Sequence, residues 1–358
     1  MSKKITWILF VSYFAVFVIL TGVFYWKYLG MYLASGAVGE VTEVKTALGN
    51  IYYSQDNNLF RANPTLVYEP SAGGRVERFQ STGQVAFLDI NKTGQKIAYD
   101  AKNPLGFWEI WQVDTQTGIA EMVATSGRAD LEDYVDFRRP KFSPGGTALA
   151  FIGAKNGDET LFIKDLANGQ IKELLVTAGI KIADYSWSLQ GESLIYCTSA
   201  ELQNGCWKQI LFKGGAKRII EGDVLEIKAD ALGKILYLAK KDNFNIFSYD
   251  EKTDETQILT DTVLPRAVTF FQVDPKGKRM VYEVAEGSLK NIYVAKIDGK
   301  NILQLTTDGQ SGQPLFSPRS DEIAFLREAD GIYLIGINKE NVRKITNLKT
   351  EVRLLLWR

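Results

Sequence analysis

Short stretches in which apolar and polar residues alternate recur along most of the chain, each broken by a tight turn. The sharpest copy is Pro314-Leu-Phe-Ser-Pro-Arg-Ser-Asp-Glu-Ile-Ala-Phe325: an apolar strand, a turn carrying Ser-Pro, and a second strand. Written as apolar, turn residues, Gly, polar pair, then apolar-x-aromatic, the unit aligns at six places. These copies begin at Ile90, Phe142, Trp187, Ala229 and Val273, with the sixth ending at Phe325. The turn positions Gly94, Gly146, Gly191, Gly233, Gly277 and Ser320 are spaced 52, 45, 42, 44 and 43 residues apart. A period near 43 fits propeller blades or paired-helix repeats. Runs such as Asn291-Ile-Tyr-Val-Ala-Lys-Ile297 are β-branched and aromatic in alternation, and Gly, Asn, Asp and Pro punctuate them at short intervals. That pattern specifies strands and excludes paired helices. Four strands, A to D, fit each period, and the fold class is an all-β propeller.

The ends of the array set the blade number. Lys344-Ile-Thr346 reads as a strand D, and Arg353-Leu-Leu-Leu-Trp-Arg358 as one more strand A with no strand B after it. Gly49-Asn-Ile-Tyr-Tyr53 reads as a strand B with no strand A before it. Leu59-Phe60, Leu66-Val-Tyr68 and Val76-Glu-Arg-Phe79 supply candidates for C and D. A composite blade built from both termini closes a seven-bladed ring and removes its open edges. A six-bladed ring with an added amino-terminal hairpin is the alternative.

A different pattern precedes the array. From Ile5 to Trp26 no residue is charged, and these 22 residues, at about 1.5 Å each, reach roughly 33 Å against a bilayer core of about 30 Å. Trp7 at one end and Tyr25, Trp26 and Tyr28 at the other suit the membrane interfaces. Lys3, Lys4 and the free amine outweigh Lys27, which keeps the amino terminus cytoplasmic and exports the rest. The organisation expected is therefore a cytoplasmic tip and signal anchor over 1–29, a tether over 30–47 and the propeller over 48–358. A cleaved signal peptide ending at Ala34-Ser35-Gly36 is the alternative, but the apolar run exceeds the usual signal core and the trio lies well beyond it.

Composition narrows the chemistry. The chain has 42 basic and 42 acidic residues, a balance that argues against a nucleic-acid partner. It contains no histidine, which removes Ser-His-Asp and Cys-His catalysis and His-ligated zinc. No cofactor motif and no calcium-loop register is present. Carboxylate pairs, lysine and tyrosine remain as possible chemistry, but no spacing selects an acid/base pair.

Two sets of residues stand out. Cys197 and Cys206, the only cysteines, flank a loop that would turn near Glu201 and Leu202, and outside the cytosol they are expected to form a disulfide; two packed thiols are the other reading. The 52-residue interval holds the largest insertion, Thr125 to Arg139, expected as a loop on a ring face between two blades. It carries Arg128, Asp130, Glu132, Asp133, Asp136, Arg138 and Arg139 with Tyr134 and Phe137 between them, a composition suited to a partner-binding loop or to a solvated connection. Asn156-Gly-Asp-Glu159 and Asp242-Asn-Phe-Asn245 read as ordinary turns.

The sequence Leu305-Thr306, Pro314-x-Phe-Ser-Pro318, Ile323-Ala-Phe325 and Ile332-Tyr-Leu334 resembles the WD-like repeats of TolB-type propellers, and more distantly those of prolyl oligopeptidase-type propellers. The resemblance spans roughly 48–358. It implies a propeller without implying an activity, because no room for the separate TolB α/β domain lies between Trp26 and Gly49 and no hydrolase domain follows the array. The expected function is a membrane-anchored, non-enzymatic platform for protein partners on the outer side of the cell membrane, either periplasmic or at the cell surface. The alternative is a propeller that binds or acts on a small ligand or carbohydrate through carboxylates in its channel.

Overall fold

Most strands of the array bury both of their faces, and this decides the architecture. In Ser193–Thr198 all six residues are buried; Leu194 and Tyr196 pack to one side and Ile195 and Cys197 to the other. A sheet apolar on both faces needs a sheet against each, and a ring of sheets supplies that with no end. The computed structural model describes residues 49–358 apart from 57, 65–75, 82, 175–178, 200–203, 212, 230–232, 348–351 and 358. The expected membrane segment and tether, Leu66–Tyr68 and the turn near Glu201 and Leu202 lie outside these residues. Among the described residues, no helix is long and apolar enough to cross a membrane.

Among the described residues, the regular structure consists of seven four-stranded antiparallel sheets. The closing blade takes β1 (Ile51–Gln55), β2 (Asn58–Ala62) and β3 (Val76–Ser81) from the start of the array. Blade 1 is β4 (Val85–Ile90), β5 (Lys96–Lys102), β6 (Trp108–Asp114) and β7 (Ala120–Ala124). Blade 2 is β8 (Val135–Phe142), β9 (Ala148–Lys155), β10 (Asp158–Asp165) and β11 (Ile171–Leu174). Blade 3 is β12 (Ile182–Trp187), β13 (Ser193–Thr198), β14 (Gly205–Ile210) and β15 (Ala216–Glu221). Blade 4 is β16 (Asp223–Ala229), β17 (Ile235–Lys240), β18 (Phe244–Asp250) and β19 (Glu255–Ile258). Blade 5 is β20 (Arg266–Val273), β21 (Arg279–Glu286), β22 (Leu289–Lys296) and β23 (Leu303–Gln304). Blade 6 is β24 (Ser311–Phe316), β25 (Glu322–Arg327), β26 (Gly331–Gly336) and β27 (Arg343–Asn347). The last strand, β28 (Val352–Trp357), supplies strand A of blade 7. It pairs antiparallel with β1, placing Ile51 opposite Trp357 and Gln55 opposite Val352. The ring therefore has seven blades, and the six-bladed alternative is excluded.

Seven apolar clusters fill the seven junctions. The one between blades 6 and 7 joins Leu315, Ile332 and Leu334 to Tyr53, Leu354 and Trp357. Within each blade an aromatic of strand B stands opposite an aromatic of strand C, as with Phe151 and Phe162, stacked with centroids 5.5 Å apart, and Tyr237 and Phe247 at 5.4 Å. These pairs are the aromatic end of the repeat unit. All six repeat-turn positions have positive φ, from 63° at Ser320 to 83° at Gly233; this is why glycine recurs there.

The strand A of every blade is bulged against its strand B. In blade 2 the bulges fall between Val135 and Arg138 and between Arg138 and Lys141. That strand begins at Val135, so the expected loop of 125–139 ends earlier than its spacing suggests.

Cys197 and Cys206 face each other directly across β13 and β14, with their sulfurs 2.08 Å apart. Closing so short a loop contributes about 2–3 kcal/mol, so reduction is expected to lower the unfolding free energy by that amount in a urea titration. Trp357→Ala, which hollows the closing junction, is expected to cost about 3–5 kcal/mol in the same assay. A chain ending at residue 351 leaves β1 with a bare edge, and gel filtration should find aggregates in place of a monomer.

Candidate functional site

Strand A of each blade is the inner edge of its sheet, so its outward N–H groups have no ladder partner. The preceding blade supplies acceptors at five or more of the seven junctions. Asp89 Oδ2 accepts from the Phe142 N–H at 2.7 Å, Asp184 Oδ2 from Ile227 at 3.0 Å, Gln272 Oε1 from Phe316 at 2.7 Å and Gln313 Oε1 from Leu354 at 2.8 Å. Acceptor and donor are about one repeat apart. The bulges release further N–H groups and these are captured too. Asp100, on β5, takes those of Ala86 and Phe87 with Oδ1 at 3.0 and 2.7 Å and that of Arg139 with Oδ2 at 2.9 Å. Glu283 holds Gln313 at 2.9 Å, and Glu159 holds Ile182 at 2.8 Å. Asp136, Arg139 and Gln313 adopt φ of 53°, 54° and 53° on these inner strands, a conformation that a side chain with Cβ accepts only where its surroundings fix it.

The inner strands enclose a cavity of about 430 Å³, lined from six blades by Phe87, Lys141, Asp184, Lys228, Phe270 and Arg353 among others. Around Lys141 lies a charged network: its Nζ donates to Asp184 Oδ1 at 2.9 Å and to the Tyr185 carbonyl, and stands 4.7 Å from the Tyr185 ring centroid. Arg139 Nη1 lies 3.4 Å from the same carboxylate oxygen, and Lys228 pairs with Glu226 at 2.8 Å. Leu225, Leu238 and Phe270 add apolar surface to the same lining. Ala86, Phe87 and Arg353 sit early in their A strands and Trp108 opens its strand C, so the cavity reaches the face of the D–A and B–C connections. That face also exposes Leu105, Val263 and Leu264.

Burial alone would raise the Asp184 carboxyl, but Lys141, Lys228 and Arg139 outweigh it and hold the group below the usual carboxylate range. For Lys228, burial opposes the charge, yet Glu226 and Asp184 keep the ammonium above its ordinary value. Lys141 is drawn down by burial, with Asp184 opposing. Asp100 is pushed up by burial against its three backbone donors and Arg353. Tyr185, buried beside Asp184, is raised well above the ordinary phenol value. Among the described residues, no group of three or more Asp, Glu or Cys side chains is arranged to hold a metal ion.

The residues singled out in 125–139 divide between two places. Arg128 donates to the Val123 carbonyl and pairs with Asp130 at 2.7 Å, Asp133 pairs with Lys155 at 2.7 Å, and Glu132 is exposed. Tyr134 stands edge-on to Phe162, 4.8 Å between centroids. Phe137 is fully buried against Phe151 and Phe162, so it offers nothing to a partner; the alternation of β8, which starts at Val135, turns it inward. Asp136 Oδ1 accepts from the Trp108 N–H at 3.2 Å. Arg138 pairs with Glu159 and lines the channel beside Arg139. The turns over 156–159 and 242–245 do more than reverse the chain. Glu159 is the tie to blade 3, and Asn243 and Asn245 fix the connection before blade 5 through Thr262 and Arg266. Lys141, Asp184, Glu226, Lys228 and Arg353 were not foreseen, since nothing in their local sequence marks them.

A family model described as the TolB beta propeller domain matches residues 91–308. A curated relative, dipeptidyl-peptidase 5 of Porphyromonas gingivalis, is 26% identical over 139 residues, 36% of this chain and 20% of that protein. The crystal structure of TolB from Acinetobacter baumannii aligns with a TM-score of 0.55 at 21% identity, covering 74% of this chain and 65% of that one. Oligogalacturonate lyase in complex with manganese aligns with a TM-score of 0.62 at 13% identity, covering 84% and 86%. The chain thus spans a fifth of the peptidase and just under two thirds of TolB, and the structural likenesses establish the fold alone.

Because Asp184 titrates lower folded than unfolded, its stabilising contribution is complete above the unfolded value of about 3.9 and is lost as pH falls through the lower folded value. Asp184→Asn is expected to cost about 3–5 kcal/mol near neutral pH, since Lys141 stays buried without its counter-charge. It should also flatten the loss of stability below about pH 4. Urea midpoints measured from neutral pH downward read both effects, and an unchanged acid limb would show that Asp184 does not drive it.

Proposed function

This chain belongs to the TolB β-propeller family, and on that footing we propose that it is an exported, membrane-anchored propeller that docks protein partners without catalysing a reaction. The observation that carries this reading is the channel mouth. Six blades converge there on a cavity whose charged side chains are held in place by one another and by the backbone of the next blade. A mouth fixed in this way loses little conformational freedom when a partner binds. Its mixture of charge with the apolar Leu225 and Phe270, on a face that also exposes Leu105, Val263 and Leu264, matches the polar and apolar character of protein interfaces. Asp184 and Lys141 join blades 2, 3 and 4, which accounts for both without a proton-transfer role. The uncharged run from Ile5 to Trp26 and the bridged cysteines, which suit an oxidising compartment, support export and anchoring.

A second reading has the channel bind a small ligand. It is favoured by the cavity itself, about 430 Å³ with polar groups from several blades and within the range of ligand pockets, about 300–1,000 Å³. The oligogalacturonate lyase likeness gives this reading a precedent in fold only.

Photo-crosslinking in the native membrane separates the two. A photoreactive residue at Leu225 or Leu264 should yield a discrete protein adduct, while one at Ile119, on the opposite face, should not. Equal labelling from both faces, or none, would count against the platform. A rise in melting temperature with oligosaccharides in place of adducts would favour the second reading.

A further inference from the structure

The charges lining the channel do not balance: among the described residues, five cationic side chains face three carboxylates. Lys141 and Lys228 are matched by Asp184 at 2.9 Å and Glu226 at 2.8 Å, and Arg138 by Glu159 from outside the lining. The third lining carboxylate, Asp100, gives its oxygens to the N–H groups of Ala86, Phe87 and Arg139. Two guanidinium groups remain. Arg139 Nη1 donates to the Ala183 carbonyl and lies 3.4 Å from Asp184, a carboxylate that Lys141 already holds more closely. Its Nη2 and Nε have no acceptor among the described residues, and its side chain is 39% exposed. Arg353, exposed near the start of β28, makes no ion pair among the described residues, although Asp100 feels its charge. The crowding of like charges shows at Lys141. Its ammonium is drawn below the ordinary value by burial and, with Asp184 opposing, by Lys228 and Arg139.

An anion entering the cavity relieves that repulsion and takes up donors that face solvent. The anion an unmodified polypeptide carries is the carboxylate, and a guanidinium presents paired donors to its two oxygens. Phe87, Trp108, Leu225 and Phe270 share the lining, so apolar surface lies beside the cations. We propose, on the reading of the mouth as a protein-docking site, that it receives a polypeptide carboxylate adjoining an apolar side chain, with Arg139 and Arg353 binding the oxygens. The carboxylate belongs either to the partner's carboxyl terminus or to an Asp or Glu next to an apolar residue.

Saturation-transfer NMR on the full chain in detergent micelles tests this with N-acetyl-phenylalanine, whose carboxylate adjoins a benzyl group. Saturable binding is expected, weakened roughly tenfold with the uncharged N-acetyl-phenylalaninamide. Arg353→Gln should cause a similar loss for the acid and none for the amide. Its melting temperature should stay unchanged, because an exposed side chain outside any ion pair is replaced. Acetyl-Glu-Phe-amide, compared with N-acetyl-phenylalanine, shows whether a side chain or a terminus supplies the carboxylate; tighter binding of either supports the proposal. Equal affinity for acid and amide, no saturable binding, or acid binding unchanged in Arg353→Gln would overturn it. Glucuronate binding as tightly as N-acetyl-phenylalanine would show an acidic-sugar site and overturn it too.

Crosslinking from a photoreactive residue at Leu225 separates this proposal from the docking reading beneath it. Loss of the protein adduct in folded Arg353→Gln is the expected result. An adduct at full yield in that variant shows a docking mouth indifferent to carboxylates, which overturns this proposal alone. No adduct even with Arg353 in place overturns both.

Discussion

The whole ring depends on how the inner edge of each blade is satisfied. An edge strand exposes a row of backbone donors, and at the centre of a propeller these cannot be left to pair with another strand. Here a side chain of the preceding blade reaches forward by one repeat and accepts the N–H, through Asp89, Asp184, Gln272 and Gln313. The separation tracks the local repeat: Asp89 reaches 53 residues ahead, across the longest interval, and Gln272 reaches 44. An insertion therefore lengthens a connection without disturbing the tie. The apolar clusters set the distance between blades, and these polar ties set their rotation about the axis.

The channel's charges follow from the same requirement. Asp184 accepts the Ile227 N–H with one oxygen and the Lys141 ammonium with the other, so one carboxylate joins blade 2, blade 3 and blade 4. Asp100 ties the bulge of its own blade to Arg139 of the next. Such groups are costly to bury singly, and together they are satisfied only when the blades stand in their correct order. A surface fixed to this degree serves recognition well, because its polar groups need not reorganise around a partner.

Much of the ring was legible in the sequence because its determinants are local. The turn positions recur as Gly94 through Ser320, and each takes a positive φ. The half-blades at the two ends could be read from where the grammar of strands began and stopped, and β1 and β28 meet accordingly. The site was legible only in part. Arg138 and Arg139 stood out as charges in an insertion and do reach the channel, but Phe137 beside them is core, because the strand starts earlier than the insertion's composition implies. Glu159 looked like one more acidic turn residue, yet it holds blade 3. Lys141, Lys228 and Arg353 lie far apart in the chain, and only closure of the ring brings them together. Convergence of that kind has no signature in any one stretch.

The pairing of β28 with β1 has a kinetic side. Ile51 finds Ala62 within its own hairpin but has no partner on its other side until Trp357 pairs with it, so this contact closes a very long loop, and its entropic cost is recovered only when the ring shuts. Until then both β1 and the face of blade 6 present apolar strands to their surroundings, on a chain otherwise able to assemble blade by blade. A molecule in which β28 is not yet paired is left with apolar surface on both sides of the open junction, which β28 covers when it docks.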